Sequence, residues 1–466
     1  METLRENLPV EINAHRAYNR NMENHLPQAF VNRMKEMLGE EYAAFEAGYE
    51  LPPVRGLRFN PLKGPAADLP GTEDWGLRPV PWAENGYYYS EEAAPGRHPY
   101  HEAGLYYIQE PSAMISAQLL EARPGERILD LCAAPGGKST QIAGAMAGRG
   151  ILVTNEIHPA RAKILSENIE RMGIANALVT NESPERLAER FPLWFDRIMV
   201  DAPCSGEGMF RKNPEAIQQW SPENVTLCAQ RQAQILDDAA KMLRPGGVMV
   251  YSTCTFAREE DEESVRAFLE RHPDFVREKE ERIWPHKAEG EGHFAARLRR
   301  AGDAPAPESP RVRGCDASLL KDFVQFAEDT LTPGSPLYDL ARKLKGAGKG
   351  TPAEGFLLFG ENLYEVPEDM PDLRGLKVLR PGLCLGSFKK NRFEPAHALA
   401  LSLRPEQVRR HLKLSLEDAQ RYLEGLTLPA EGEKGWTLVC VGEYSLGWGK
   451  NAGGMLKNHY PRGLRK

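Results

Sequence analysis

Five apolar runs recur through residues 105–301, each followed by a polar stretch with helical spacing. They are GERILDLCAA, GILVTNEI, ANALVTN, FDRIMVDAP and GGVMVYSTCT. Strands this continuously apolar must be covered on both faces, and the stretches between them are long enough to cross over as helices. The alternation predicts a doubly wound α/β domain with a mostly parallel sheet over residues 105–301. In such a sheet the carboxyl ends of neighbouring strands open onto one crevice. Functional side chains are therefore expected at those ends.

The remainder of the 466-residue chain exceeds what one core can hold, and two to four domains are expected. Residues 1–104 read as a small α+β domain: a helical pattern in LPQAFVNRMKEMLGEEYAAFEAGYE, a strand and turn in VRGLRFNPLK, then short aromatic strands. Residues 302–375, opening on AGDAPAPESPRVRG, read as a linker or intermediate region. Residues 376–466 read as a β-rich domain. Residues 1–16 lack the apolar core of a signal peptide, and no stretch is apolar enough to span a bilayer, so a cytoplasmic protein without membrane contact is expected. Seven cysteines without a CxxC pair predict reduced thiols, no disulfide framework and no metal site.

The net charge of −7 argues against a nucleic-acid partner, but it averages over an asymmetry. Residues 374–413 carry ten Lys or Arg against two Glu, and residues 441–466 carry five against one. Basic clusters of this kind point to RNA. Candidate contacts are Phe388, Phe393, Trp448 and Tyr460 among Lys389, Lys390, Arg392, Lys457 and Arg462.

The loop after the first strand holds Cys132, Ala133, Ala134, Pro135, Gly136, Gly137 and Lys138, and it opens a helix. Glycines there let backbone approach a ligand, and the helix start offers free amides. Glu156 ends the next strand, where an acid can accept both ribose hydroxyls of a nucleoside. The loop is neither GxGxxG nor a phosphate-cradling GxxxxGK[ST]. Asp201 and Cys204 follow the fourth strand, and Cys254 ends the fifth. Two thiols and a carboxylate then face one crevice beside a nucleoside site. Carbon 5 of cytosine demands such a set. It becomes nucleophilic only after a thiolate adds to carbon 6, an acid near N3 steadies the adduct, and a base must later remove the carbon 5 proton.

LCAAPGGKS, DAPCSGEG and STCT, in that order after YYIQEPSAM, resemble the Sun/Fmu-type (NOL/NOP/Sun) family of RNA 5-methylcytosine methyltransferases. The similarity spans at least residues 105–298, and the basic C-terminal part is similar to bacterial members acting on small-subunit ribosomal RNA. The resemblance implies a class I methyltransferase domain that uses S-adenosyl-L-methionine, and a PUA-like RNA-binding domain at 376–466. It implies Cys254 as the nucleophile, Cys204 as the residue that helps release product, and Asp201 in contact with the base and near the cofactor. Cofactor contacts then fall on residues 132–138, on Glu156 and on Ser183. Where the family commonly carries an aspartate near the adenine, VTNESP offers Ser183, with Asn181 and Glu182 beside it. Asp261 stands where the family usually has an asparagine. The implied substrate is small-subunit (16S) ribosomal RNA, free or in the subunit, acted on by a monomer with the target base flipped out. Transfer RNA methylation, DNA cytosine methylation and an inactive RNA-binding assembly factor are the alternatives. Arg58, Asn60 and Lys63 in LRFNPLK are expected to hold RNA or the catalytic domain.

Overall fold

The computed structural model describes residues 26–64, 69–308 and 310–465. The 1–16 stretch read above lies outside them. The central domain runs α1 (Met114–Leu120), β1 (Arg127–Asp130), α2 (Gly137–Met146), β2 (Ile151–Asn155), α3 (Pro159–Arg171), β3 (Ala177–Thr180), α4 (Pro184–Arg190) and β4 (Phe195–Asp201). It continues through α5 (Pro222–Met242), β5 (Leu243–Thr253), α6 (Glu262–Arg271), β6 (Phe275–Ile283) and β7 (His293–Arg300). A distant strand, β8 (Val378–Pro381), joins the far edge. The sheet order is β6-β7-β5-β4-β1-β2-β3-β8. The five strands from β3 to β5 pair in parallel, and β6, β7 and β8 are antiparallel additions. The doubly wound, mostly parallel expectation holds.

Strand alternation divides the apolar residues between two cores. Leu129, Val153, Leu178, Ile198 and Met249 pack on one face of the sheet. Ile128, Leu152, Val179, Met199 and Val250 pack on the other. Proline at the first turn starts α3, α4 and α5, and Ser183 and Ser221 cap the last two with their hydroxyls.

The N-terminal residues form a four-stranded antiparallel sheet in which Tyr106–Ile108 pairs with Gly56–Phe59, so that sheet takes in residues just beyond position 104. The helix Gln28–Leu38 lays Phe30 and Met34 against Phe210, Trp220 and Phe256, which belong to the loops after β4 and β5. Residues 302–375 carry structure of their own. The helices Lys321–Thr330 and Pro336–Arg342 bury Phe323, Phe326, Leu337 and Tyr338. The strands Phe356–Phe359 and Asn362–Glu365 join Leu383–Lys389 and Arg392–Pro395 in one sheet. That sheet crosses position 376, because antiparallel pairing ignores the composition change that suggested a border there. A five-stranded sheet of residues 411–458 completes the chain.

The C-terminal aromatics correct one expectation. Phe393, Trp448 and Tyr460 are buried in the apolar cores and are closed to stacking on RNA. Trp448 also donates its Nε1–H to Ala396 O at 3.0 Å. Lys389, Lys390, Arg392, Lys457 and Arg462 remain exposed. No helix among the described residues is long and apolar enough to cross a membrane.

Ile198, at the centre of β4, is fully buried. Ile198→Ala should destabilise the protein by about 2–5 kcal/mol. Denaturant unfolding followed by circular dichroism measures this, and a loss under about 0.5 kcal/mol, the size of a surface change, would contradict the packing described.

Candidate active site

The parallel pairing of β4 with β5 sets Asp201 beside Ser252. The loops that follow both strands leave the sheet side by side. Cys204 and Cys254 meet there with their sulfurs 3.3 Å apart. Five further contacts fix the loops. Ser205 Oγ lies 2.8 Å from Thr255 Oγ1, and Gly208 N donates to Cys254 O at 2.9 Å. Glu260 Oε2 accepts from Ser205 N at 3.0 Å and from Gln232 Nε2 at 2.8 Å; Gln232 also donates to Pro203 O at 3.0 Å. Gly208 has to be glycine, since a Cβ would sit 2.7 Å from Gly292 O and 3.0 Å from Cys254 O. Glu207, fully buried, accepts from Trp220 Nε1, from Phe256 N and from Arg33 of the N-terminal helix.

Contact with Cys254, then burial, pushes the Cys204 thiol well above its ordinary pKa. Either sulfur can be the donor in the contact between them.

Asp201 is held by charge. Lys138 Nζ lies 2.8 Å from Oδ2, and Ser252 donates to Oδ1 at 2.9 Å. Burial opposes ionisation, but Lys138 and the Ser252 hydroxyl outweigh it and keep Asp201 below the usual carboxylate range. His293 Nε2 is 4.0 Å away. Burial, then Lys138, pushes that imidazole down to about 3, so it is neutral at physiological pH.

The crevice at the ends of β1 and β2 holds the other predicted residues. Ala133 N donates to Asn155 O at 2.8 Å. Ala134 O accepts from Arg161 Nη2 at 2.7 Å, and Pro135 O accepts from Asn168 Nδ2 at 2.9 Å. Helix α3 thus pins the loop from below. Gly136 adopts φ 117°, a left-handed turn into α2 that glycine takes without strain. Cys132 is a thiol whose pKa burial raises, so the loop offers backbone and not a nucleophile at that position. Glu156 is buried, accepting from His158 N at 2.8 Å and pairing with Arg161 at 3.3 Å. Beyond it, Ile157, Asn181 and Ser183 line a cleft of about 380 Å³. Glu182 lines the cleft too, largely buried, with its Oε1 accepting from Lys377 N at 2.7 Å. Ser183 also caps α4.

Several residues escaped the sequence analysis. Asp130 ends β1 fully buried; Ser139 donates to one oxygen at 2.6 Å and the other has no partner. Burial lifts its pKa to about 7 despite that bond. Its place just before the loop motif was the available signal. Glu260 sits in an acidic run that resembles ordinary helix-start chemistry. His293 had no signal, because only the antiparallel β7 brings it in. Asp261 proves structural, accepting from Thr253 Oγ1 and from Arg282 at 2.7 Å. Arg58 is buried and donates to Gly137 O at 3.2 Å and Thr140 Oγ1 at 2.8 Å. Asn60 donates to Gly104 O and Met172 O, and Lys63 to Leu401 O. Arg58 and Asn60 thus hold the catalytic domain, the second of the two expected roles, whereas Lys63 ties the N-terminal region to the C-terminal helix His397–Ser402.

An unpaired buried carboxylate oxygen on Asp130, an acid at the end of β2 and a cleft beyond it fit a nucleoside that carries an amino-acid ammonium. One end of the sheet binds such a cofactor while the next two strand ends present thiols and a carboxylate, and this division of work defines an S-adenosylmethionine-dependent methyltransferase. Family models agree along the chain. The "16S rRNA methyltransferase RsmB/F" model matches residues 117–299, and the "N-terminal domain of 16S rRNA methyltransferase RsmF" matches 26–111. The RsmF first C-terminal domain and PUA domain match 341–403 and 409–466. The chain is 31% identical to ribosomal RNA small subunit methyltransferase F of Erwinia tasmaniensis, over 94% of this chain and 96% of that one. It is 33% identical to the protein of that name from Salmonella agona, with the same coverage. Among solved structures it is similar to a methyltransferase homologue from Pyrococcus horikoshii, at 26% identity and TM-score 0.54, over 63% of this chain and 100% of that one. The protein belongs to the RsmF family of RNA methyltransferases.

Lys138→Met removes the charge that keeps Asp201 ionised. A depressed carboxylate pKa then rises, so the acid limb of the kcat/KM–pH profile should move up by about one unit or more. Tritiated methyl transfer across a pH series measures it; an unmoved limb would contradict the Asp201 assignment.

Proposed function

We propose that the protein methylates carbon 5 of a cytosine in small-subunit ribosomal RNA, with Cys254 as the attacking nucleophile. The observation that carries this reading is the pair of thiols 3.3 Å apart at neighbouring strand ends, in which contact with Cys254 raises the pKa of Cys204. A thiol hydrogen donated to Cys254 stabilises negative charge on Cys254 Sγ, and the thiolate is the attacking form.

Cys254 thiolate adds to carbon 6, and the carbon 5–carbon 6 π electrons move onto carbon 5 and into the ring. Residues 132–138, Glu156, Asp201 and Ser183 would hold S-adenosylmethionine, which would supply the methyl group to carbon 5 as its sulfur–methyl bond breaks and S-adenosylhomocysteine is left. Asp201 is ionised and can accept from the cytosine amino group. As N3 gains basicity in the adduct, the Lys138–Asp201 pair shares a proton with it. Carbon 5 then carries both a methyl group and a proton. With Cys254 bonded to carbon 6, Cys204 has lost the partner that raised its pKa most, so it can release its proton to solvent and, as thiolate, take the carbon 5 proton. The carbon 5–carbon 6 bond re-forms and Cys254 leaves as thiolate.

A stacked cytosine hides carbon 6, so the base must be flipped or already unpaired. Exposed Lys389, Lys390, Arg392, Lys457 and Arg462 suit contact with the RNA backbone, which is where basic side chains contribute most affinity. The ribosomal substrate is supported by the names of the relatives, small subunit methyltransferase F. The working unit proposed is one chain, in the cytoplasm.

A carbon 5 fluorine cannot be removed as a proton, so RNA containing 5-fluorocytosine should trap the adduct. Denaturing gels with cofactor present should show a protein–RNA band for the unaltered enzyme and for Cys204→Ala, and none for Cys254→Ala. A band that survives Cys254→Ala and vanishes with Cys204→Ala would reverse the assignment.

A further inference from the structure

The cleft beyond Glu156 has a wall from far along the chain. Ile157 lines one side and is 62% exposed, an unusual exposure for an isoleucine beside a buried acid. Opposite it the lining comes from Gly375 and Lys377, immediately before β8. Three hydrogen bonds fasten that segment to the end of β3 and the start of α4. Asn181 N donates to Lys377 O at 2.9 Å, Lys377 N to Glu182 Oε1 at 2.7 Å, and Arg186 Nη2 to Gly375 O at 2.9 Å. Both backbone groups of Lys377 are consumed, and its exposed ammonium enters no ion pair among the described residues. Asn181 spends its Nδ2 on Glu156 O and Ile157 O, which leaves the cleft an amide oxygen as acceptor.

Ile157 follows Glu156 in the chain and Asn181 donates to Glu156 O, so the base of a ribose held by Glu156 would have this cleft within reach. The cleft offers what a purine needs: an exposed apolar side chain for a face, acceptors and hydroxyls on Asn181 and Ser183 for an amino group, and one free cationic donor for a ring nitrogen. We propose that residues 375–377, contributed from beyond the methyltransferase domain, form the adenine-binding wall of the cofactor site, with the Lys377 ammonium donating to an adenine ring nitrogen. This rests on the reading of Glu156 as the ribose acid. The strand that follows, β8, is then more than an edge to the sheet. It carries the cofactor site's specificity into the C-terminal half of the protein, so cofactor binding and the packing of that half support each other.

Calorimetric binding of S-adenosylhomocysteine to the full chain, without RNA, tests this separately from the carbon 5 chemistry. Lys377→Ala keeps every backbone bond described, and it should weaken binding about tenfold while leaving the melting temperature unchanged. Among the 1-, 3- and 7-deaza-adenine analogues, one should bind the unaltered protein about tenfold more weakly and lose nothing further in Lys377→Ala, because the lost nitrogen and the lost ammonium belong to one hydrogen bond. Equal binding by Lys377→Ala and the unaltered protein would overturn the proposal, and so would a loss spread evenly over all three analogues in both proteins. Glu156→Ala is the control for the underlying reading: if it binds as the unaltered protein does, the ribose assignment fails, and the adenine wall fails with it.

Discussion

Two sulfur atoms 3.3 Å apart organise the chemistry of this protein, and a parallel strand pair holds them there. Neither cysteine lies on a regular element. Each sits in a loop just past a strand, where nothing local fixes a side chain. Position comes from hydrogen bonds that cross between the loops: Glu260 to Ser205 N, Ser205 to Thr255, Gly208 to Cys254 O, and Gln232 to both Pro203 O and Glu260. The network joins elements that a single sequence presents as unrelated. Its cost is a set of buried carboxylates. Burial lifts Glu260 to about 7, and Glu207 lies fully enclosed with Arg33 and Trp220. The N-terminal helix, through Arg33, therefore belongs to the support of the site.

The second organising interaction is electrostatic. Lys138 stands at the start of α2, in the cofactor loop, yet its ammonium reaches Asp201 at the end of β4. One side chain thus ties the loop of residues 132–138 to the end of β4, the two halves of the proposed site. The neutral, buried His293 lies beside it, its ring nitrogens without a hydrogen bond among the described residues, and burial together with Lys138 sets the acid–base state of this corner. The chain also crosses its own domain borders to build the crevice. Arg58 of the N-terminal sheet braces Gly137, and Lys377 from beyond the central domain borders the cleft next to Glu156.

How much of this was legible in sequence follows from where the determining contacts lie. The parallel sheet was legible because β1 to β5 are apolar on both faces, a pattern written in contiguous residues. The loop of residues 132–138, Glu156, Asp201 and the two cysteines were legible because each immediately follows a strand. His293, Gln232 and Lys377 were not, since antiparallel pairing, a helix face and a distant edge strand bring them in. The C-terminal region misled for a related reason. Its basic residues did prove exposed, but aromatics near them in sequence were assigned to RNA, and three of the four pack into cores. The composition break near 302 marked a loop, while the two helices beyond it went unread in a stretch taken as a linker or intermediate region.

Thiol reactivity measures the proton's location without RNA or cofactor. The unaltered protein is treated briefly with iodoacetamide at neutral pH, and the modified cysteine is mapped by mass spectrometry. Cys254 should be alkylated before Cys204, and Cys204→Ala should slow alkylation of Cys254 by removing the hydrogen that stabilises its thiolate. Alkylation of Cys204 first, with Cys254 reacting at the same rate whether or not Cys204 is present, would contradict the assignment of Cys254 as nucleophile.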